Sequence, residues 1–127
     1  MISPKIKGIN DYTYILVAAV PPDELVPDAK AAIERAERLA SSWADYELLD
    51  KYELTIDGMH TYRLDYQNRN IVPAIAGVSG PRIEVIREVR FDAKGYVWMI
   101  QIDSDSSTAE ADKADFEHIL ETFQILD

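Results

Sequence analysis

The chain contains no cysteine, only two histidines and only five glycines in 127 residues. Without cysteine it can form no disulfide, no thiolate nucleophile and no cysteine-based metal site. Its serines lie in no Gly-x-Ser-x-Gly elbow, and the sequence has no glycine-rich phosphate loop. We therefore expect a protein that is not an enzyme, with no catalytic residues, no cofactor and no metal site.

An excess of basic residues and a long hydrophobic run are also missing. Thirteen Lys and Arg face 23 Asp and Glu, and the resulting net charge of −10 repels phosphate backbones and anionic lipid head groups. The longest apolar run, Tyr14 to Val20, is much shorter than the roughly 18 residues that span a bilayer. We expect no nucleic-acid partner and no transmembrane segment in this chain.

The start of the chain leaves its compartment open. Met1 to Lys7 lacks the apolar core of a secretory leader, so either Met1 is the native start of a cytoplasmic protein or a leader has been removed. The length and the hydrophobic content of 47% predict one domain, residues 1–127, with an irregular N-terminus over residues 1–11.

The sequence does contain a regular succession of short β and α patterns. Tyr12 to Val20 is rich in β-branched and aromatic residues and stops at Pro21, which predicts a strand. Between Asp28 and Ala44 apolar residues recur at three- and four-residue steps, which predicts an amphipathic helix with Asp28 as its N-cap. The predicted buried stripe comprises Ala29, Ala32, Ile33, Ala36, Leu39, Ala40 and Trp43, with Trp43 anchoring the end of the helix.

Alternating apolar residues on both sides of Asp57-Gly58 predict a first hairpin. A two-residue turn would place the apolar residues of its strands on opposite faces, whereas a three-residue loop ending at Met59 would place them all on one face. Burial of a single face favours the longer loop or a bulge. That loop pairs Leu54 with Tyr62 and Tyr52 with Leu64.

A loop and a second hairpin are predicted next. Ile71 to Pro81 contains two prolines and two glycines, which predicts a loop that is apolar enough to pack on the body of the protein or on a partner. Asp92 to Gly95 then forms a predicted four-residue turn. This turn pairs Phe91 with Tyr96, Val89 with Trp98 and Val85 with Ile102 on one face. Arg87 is the one charged residue on that face, opposite Ile100.

The last part of the chain predicts a capped helix. Ser107 to Glu110 matches a capping box, in which the first and last side chains satisfy free backbone donors at the helix start. The predicted buried stripe of this helix comprises Phe116, Ile119, Leu120 and Phe123. Ile125 and Leu126 are expected to add a short edge strand.

The sequence from Tyr52 to Ile125 resembles the PsbP-like group, which includes the extrinsic PsbP subunit of photosystem II and many bacterial lipoproteins. The segments that carry the resemblance are TIDGMHTYRLDY, GYVWMIQID and ADFEHILETFQI. The usual N-terminal hairpin of the group, with its Tyr-Pro-x-x-Trp-like segment, is missing. The resemblance implies an α+β fold, an antiparallel sheet with helices packed on its faces in an α/β/α sandwich, and a non-catalytic role in binding or assembly outside the cytoplasm.

Two groups of side chains are candidates for binding a ligand or a partner. Arg87 must pair with a carboxylate or reach water, so it is either half of a buried ion pair or part of an anion site in a groove. The second group is an aromatic set across the two hairpins, formed by Tyr52, Tyr62, Trp98, Tyr66 and Tyr96. We expect this set to be core beneath the first helix, although an uncovered end would form an apolar groove for a lipid or a peptide.

Acidic residues and histidines are weaker candidates. Asp103, Asp105, Glu110 and Asp112 are close in sequence, and calcium prefers clustered carboxylate oxygens. We favour the alternative in which the first two solvate a turn and the last two lie favourably at a helix N-terminus. The histidines occupy different elements, so we expect His60 to be partly buried and structural and His118 to be solvated.

The leading interpretation is a non-catalytic, extracytoplasmic accessory or binding protein whose partner is an unknown protein or small ligand. The alternative is a carrier that encloses an apolar small molecule with the aromatic set and the segment Ile71 to Pro81. A hydrolase that uses acidic residues and a metal is the least favoured. The sequence predicts neither the identity of the partner nor the oligomeric state.

Overall fold

A computed structural model describes residues 5–6, 12–43, 45–75 and 78–126, with side chains over 13–43, 45–69 and 83–126. Six strands and two helices lie within these ranges. In chain order they are β1 Lys5–Ile6, β2 Tyr12–Val20, α1 Ala29–Ser41, β3 Glu47–Ile56, β4 Met59–Ile75, β5 Val78–Ala93, β6 Tyr96–Asp105 and α2 Ala109–Thr122.

The described strands form one antiparallel sheet in the order β1-β2-β6-β5-β4-β3. Strands β3 to β6 form a meander in which each strand pairs with the next along the chain. Strand β2 pairs with β6, so the connection through α1 crosses β6, β5 and β4 to reach β3 at the far edge. The fold is α+β, as the sequence predicts. Of the predicted irregular N-terminus, Lys5–Ile6 forms a strand with β2, and the rest lies outside the described residues.

The two helices cover opposite faces of the sheet. Helix α1 contributes Ile33 and Ala40 to a cluster with Leu64, Tyr66 and Ile86, and Ala29 and Ala32 to a cluster with Val97. Helix α2 contributes Phe116 and Leu120 to a cluster with Ile56, Val89, Phe91, Ile100 and Ile102. Because neighbouring residues of a strand point to opposite faces, Ile86 and Val89 of β5 identify the two sides. The predicted α/β/α sandwich is confirmed.

The first hairpin differs from the predicted three-residue loop. Asp57 and Gly58 form a two-residue turn with φ of 48° and 78°, and Ile56 pairs with Met59. Two successive positive φ values are typical of the type I′ turn, whose twist matches that of antiparallel strands. Leu54 therefore pairs with Thr61, not Tyr62, and the apolar residues of β3 and β4 do face opposite sides. The prediction assumed one covered face, whereas helices cover both.

The second hairpin also has a two-residue turn instead of the predicted four-residue turn. Lys94 and Gly95 have φ of 53° and 81°, and Phe91 pairs with Trp98. The register is shifted by two residues from the prediction. A shift of two preserves the face of every side chain, so Arg87 stays on the predicted face but lies opposite Ile102.

Strands β4 and β5 continue through most of the segment predicted to be a loop. Ile71 pairs with Pro81, Val72 with Gly80 and Ile75 with Val78, while residues 76–77 lie outside the described part. The prediction of a loop from Ile71 to Pro81 is therefore wrong. Prolines and glycines usually interrupt strands, but here they lie at the end of a long hairpin, beyond the pairs that cover the core.

Helix α1 begins where the sequence predicts. The Asp28 carboxylate accepts a hydrogen bond of 2.9 Å from the Ala31 backbone N–H, and the Ala29 N–H donates to Asp92 at 3.0 Å. The helix ends at Ser41. Of the predicted stripe, Leu39 and Trp43 stay about half exposed, although the Trp43 ring contacts Tyr66 at a centroid distance of 6.2 Å.

Helix α2 begins one residue later than the capping box requires. Thr108 is the N-cap, and the predicted box from Ser107 to Glu110 is not formed. Phe116 and Leu120 are buried as predicted, with Ile119 and Phe123 partly buried. The predicted edge strand at Ile125 and Leu126 is wrong. The Ile125 N–H instead donates to the Asp57 carboxylate at 3.2 Å, which satisfies it without a strand partner.

Candidate functional site

Arg87 is buried between the sheet and α2. The register of β4 and β5 places Asp65 directly opposite, with Arg87 Nε 3.4 Å from Asp65 Oδ2 in an ion pair. Arg87 Nη1 also donates to the Ala109 carbonyl oxygen at 3.3 Å, at the start of α2. Of the two alternatives for Arg87, the structure shows the buried ion pair.

Arg63, whose side chain is completely buried, is the centre of the same group of charges. Its Nε and Nη2 atoms donate to the two Asp65 oxygens at 2.9 and 3.0 Å, and Nη1 lies 2.8 Å from Glu117 Oε1 on α2. The guanidinium lies 5.4 Å from the Tyr52 ring centroid and 5.3 Å from that of Phe116. Burial lowers the pKa of Arg63, but the hydrogen bonds and charge of Asp65 outweigh it, so the pKa is raised overall.

We name Arg63, Asp65, Arg87 and Glu117 the buried ion-pair network. It joins β4 and β5 to α2, so its role is to hold the helix on the sheet. Sequence analysis missed Arg63 and Asp65 because the predicted hairpin has a single buried face, to which β4 contributes only its apolar residues. The sequence did contain a usable signal. Arg63 and Asp65 carry charges of opposite sign two residues apart on β4, so their side chains share a face, and Arg87 lies across from them on β5.

The aromatic candidates do not line one groove. Tyr62 packs on the α1 face, whereas Trp98 lies on the α2 face, and the two-residue turn at Asp57 places Tyr52 on that face as well. The Trp98 indole donates to the Ala93 carbonyl at 3.0 Å, and its ring stacks on Phe91 with an interplanar angle of 4°. Tyr52 is 39% exposed on the edge strand, and burial raises its pKa.

The acidic candidates are separated between two elements. Asp103 and Asp105 belong to β6, while Asp112 is buried under α2 and accepts hydrogen bonds from Thr13 Oγ1 at 2.6 Å and Thr108 Oγ1 at 2.9 Å. Glu110 is exposed in the first turn of α2. Over the described ranges, no group of three acidic or histidine side chains is placed to hold a metal ion.

The histidines occupy separate surfaces. His60 Nε2 lies 2.6 Å from Glu53 on the neighbouring strand, and its ring meets Tyr62 edge-on at 4.9 Å. Both His60 and His118 are exposed, which is as predicted for His118 but not for His60. The shorter turn places His60 on β4 opposite Thr55, close to the end of the hairpin.

A groove of about 480 Å³ lies beside α1, on the face opposite the buried ion-pair network. It is formed by the end of β2, the connection from β2 to α1, one flank of α1 and one residue of β5. Its lining residues are Val20, Pro21, Asp23, Val26, Ala32, Arg35, Ala36, Leu39 and Arg90. We name this the α1 groove. Its volume lies within the range of small-molecule sites.

The walls of the α1 groove are mostly apolar and are held by their own hydrogen bonds and core contacts. The Asp23 carboxylate accepts from the backbone N–H groups of Leu25 at 2.9 Å and Val26 at 2.7 Å, which fixes the turn before α1. Val26 also packs on the cluster of Ala29, Ala32 and Val97. Val20 and Leu39 are 49% and 52% exposed. The groove is therefore formed before any ligand arrives and presents apolar surface to solvent.

Two arginines add positive charge to the α1 groove. Arg90 Nη2 lies 3.1 Å from Oε1 of the buried Glu88, an ion pair without hydrogen-bond geometry. Burial raises the pKa of Glu88, while the charge of Arg90 opposes that rise. Arg35 is exposed on α1 and forms no ion pair with a described residue. Sequence analysis missed both, because their meeting depends on how α1 crosses the sheet.

Comparison with known proteins supports the fold. No protein-family model and no curated protein matches the sequence. The fold is similar to PA94 from Pseudomonas aeruginosa, a protein of unknown function and proposed regulator, at 13% identity and a TM-score of 0.72 over 98% of this chain and 81% of that one.

A weaker likeness is to LpqN, involved in cell envelope biogenesis of Mycobacterium tuberculosis, at 10% identity and a TM-score of 0.48 over 95% of this chain and 87% of that one. Neither of the helices in the described ranges has the length and apolar character needed to span a bilayer. The α+β fold is thus established by its similarity to a solved structure, and membership of the PsbP-like group stays a prediction.

Proposed function

We propose that this protein is a non-catalytic binding protein that holds an apolar ligand in the α1 groove. The observation that carries the proposal is an open groove of about 480 Å³ whose apolar walls are fixed by the surrounding fold. This is the carrier alternative of the sequence analysis, with its site beside α1 instead of between the aromatic residues of the hairpins.

The half-exposed side chains in the groove provide the affinity. Burial of apolar surface contributes roughly 25 cal/mol per Å², and a preformed site loses little of that gain to ordering its own residues. Val20 and Leu39 line the groove and are about half exposed, while Ala32 and Val26 pack against the core. A ligand with an aliphatic body would cover the first pair without displacing the second.

The absence of catalysis is part of the proposal. The buried charges described on the α2 face are paired with one another, and Asp112 is bound by two threonines, so these groups act in holding the helix. In the α1 groove one oxygen of the Asp23 carboxylate, Oδ1, accepts hydrogen bonds from two backbone N–H groups. These pairings support a binding role, because a reacting acid or base needs a free lone pair or proton within reach of substrate.

The resemblance to the PsbP-like group supports a place for this binding outside the cytoplasm, as an accessory to a larger assembly or to transport. Fractionation of the source cells, with detection of the native protein by antibody, tests the location. Recovery in the cytoplasmic fraction would leave the binding proposal intact and remove the extracytoplasmic setting.

Titration with N-phenyl-1-naphthylamine, an uncharged dye that fluoresces in apolar sites, tests the binding itself. We expect saturable fluorescence with the intact protein. Leu39→Gln should weaken the dye affinity about fivefold, since roughly 1 kcal/mol of apolar burial is lost while helix propensity is nearly unchanged. The matched control is Leu48→Gln, which changes a leucine of similar exposure, 45%, on the edge strand.

Two results would contradict the proposal. One is the absence of saturable dye binding by the intact protein. The other is an equal loss of affinity in the Leu39→Gln and Leu48→Gln variants, because Leu48 lies on β3 and does not line the groove.

A further inference from the structure

We infer that the natural ligand of the α1 groove carries a carboxylate on an aliphatic body, and that Arg35 and Arg90 bind the carboxylate. The inference rests on the proposed function and adds a chemical class to it. Two guanidinium groups line a groove whose other lining residues are apolar except for Asp23, in a protein whose net charge is −10. Positive charge is scarce in this chain, so its presence in the groove points to an anionic group in the ligand.

Arg90 has donors to spare on the groove side. One of its terminal nitrogens is paired with Glu88, and its Nε is buried with no hydrogen-bond acceptor among the described residues. A guanidinium presents five N–H donors in a planar fork that matches the two oxygens of a carboxylate. Because Nε is buried, a ligand carboxylate at this end of the groove would be bound through the terminal N–H groups of Arg90.

Arg35 supplies the second cation from the opposite wall. It lies on the same side of α1 as Ala32 and Leu39, three residues before and four residues after it, and all three line the groove. A nearby acidic residue of the same helix, Glu37, is already bound to Lys51 at 2.8 Å. Arg35 is therefore available to a ligand.

The net charge of the protein distinguishes among anions. A phosphate monoester carries about −1.5 to −2 charges at neutral pH and a carboxylate one, so the repulsion from a net charge of −10 weighs more on the phosphate. For a ligand with a single charge, the attraction to two arginines in direct contact is stronger than the repulsion from the net charge of the protein. Salt weakens that repulsion, since the screening length is about 8 Å at physiological salt. The aliphatic body then follows the apolar wall from Ala36 to Val20.

The test compares three probes of equal chain length: decanoate, decanol and decyltrimethylammonium. Each is titrated below its aggregation limit into isotopically labelled protein and followed by amide NMR shifts. We expect decanoate to bind about tenfold tighter than decanol, as a charge-assisted contact replaces a neutral one, and the cation to bind weakest. The shifts should concentrate at Val26, Ala32, Ala36 and Leu39.

Arginine variants complete the test. Arg35→Gln should reduce the decanoate affinity about tenfold and leave the decanol affinity unchanged, whereas Arg38→Gln, one turn away and outside the groove lining, should change neither. Arg90→Gln should act like Arg35→Gln. Because Arg90 also pairs with Glu88, its thermal melting is measured alongside, and Arg35→Gln carries the result if Arg90→Gln does not fold.

The outcomes separate the two proposals. Equal affinities for decanoate and decanol, or tight decanoate binding by Arg35→Gln, would overturn the inference and leave an uncharged apolar ligand in the groove. Failure of all three probes and of the uncharged dye would overturn the proposed function as well. Shifts that map to the edge strand β3 instead of α1 would place the ligand elsewhere and overturn both.

Discussion

Helices α1 and α2 cover opposite faces of the same sheet with different kinds of side chain. Under α2 lie Phe116 and Leu120, and beside them the buried ion-pair network joins the helix to β4 and β5. Under α1 the contacts come largely from alanines, Ala29, Ala32 and Ala40, with Ile33. Small side chains let a helix lie close to a sheet, but they are too short to cover the surface beside the helix.

This difference explains where the open surface is. Aromatic and charged side chains fill the interface on the α2 face, where the buried Arg63 pairs with Asp65 and with Glu117, whose side chain is 37% exposed. On the α1 face nothing long extends from Ala32 and Ala36 towards the connection after β2, and the α1 groove remains. The comparison shows that a helix rich in alanine can both pack tightly and leave a binding site at its flank.

Removing Asp65 should have the largest effect, because it breaks the network on the closed face. Asp65→Ala leaves Arg63 and Arg87 buried without the carboxylate that neutralises them. Breaking a buried ion pair by removing one partner costs about 3–5 kcal/mol. We expect that loss in the free energy of unfolding, measured by urea denaturation.

Asp50→Ala is the control for this change, since Asp50 pairs with Asp65 across the strands but is exposed. It should alter stability by no more than about 0.5 kcal/mol. A loss below about 1 kcal/mol for Asp65→Ala would mean that water reaches the network, and the description of the α2 face as closed would be wrong.

The sequence predicts much of this fold and little of the site, for identifiable reasons. The stripe of α1 and the strand at β2 follow from local periodicity, which one segment contains in full. The register of the hairpin at Asp57 depended on whether one or both faces are covered, which no single segment reveals. Arg35 and Arg90 meet only where α1 crosses the sheet, so composition and spacing could not identify them, whereas the charges of Arg63 and Asp65, two residues apart on one strand, were a signal that the single-face prediction missed.

The turn at Asp57-Gly58 sets the register of β3 against β4 and so determines which apolar residues reach which face of the sheet. A change in this turn is therefore a second test of the difference between the two faces. Gly58 has a φ of 78° with open space around its Cα, so Gly58→Ala meets no clash and costs only the left-handed backbone, about 1 kcal/mol. Thermal or urea unfolding measures this loss. Asp57→Asn is the control and should be nearly neutral, because asparagine suits the first position of this turn.

A greater loss of stability in Gly58→Ala would show that the turn also fixes the register of β3 against β4. If Gly58→Ala cost several kcal/mol, the variant would have lost pairing along β3, and amide exchange of that strand would rise with it. No change at all would contradict the positive φ at Gly58 and reopen the three-residue loop.

Glu88 gives the smallest effect, and it concerns the charge buried on the open face. Burial raises the pKa of Glu88 despite the opposing charge of Arg90, so the folded protein holds this proton more tightly than the unfolded chain. That contribution to stability is complete below the ordinary pKa of 4.5 and is lost as the pH rises through the folded-state pKa. Glu88→Gln stays neutral, so its stability relative to the unchanged protein should increase with pH.

Urea unfolding of both proteins between pH 4 and pH 8 measures that difference, and Glu121→Gln, an exposed glutamate of α2, is the control whose difference should stay flat. A difference that falls with pH would mean that Arg90 stabilises the Glu88 carboxylate more than burial destabilises it. Arg90 would then be fully neutralised within the protein, and the two faces of the sheet would be alike in keeping their charges paired.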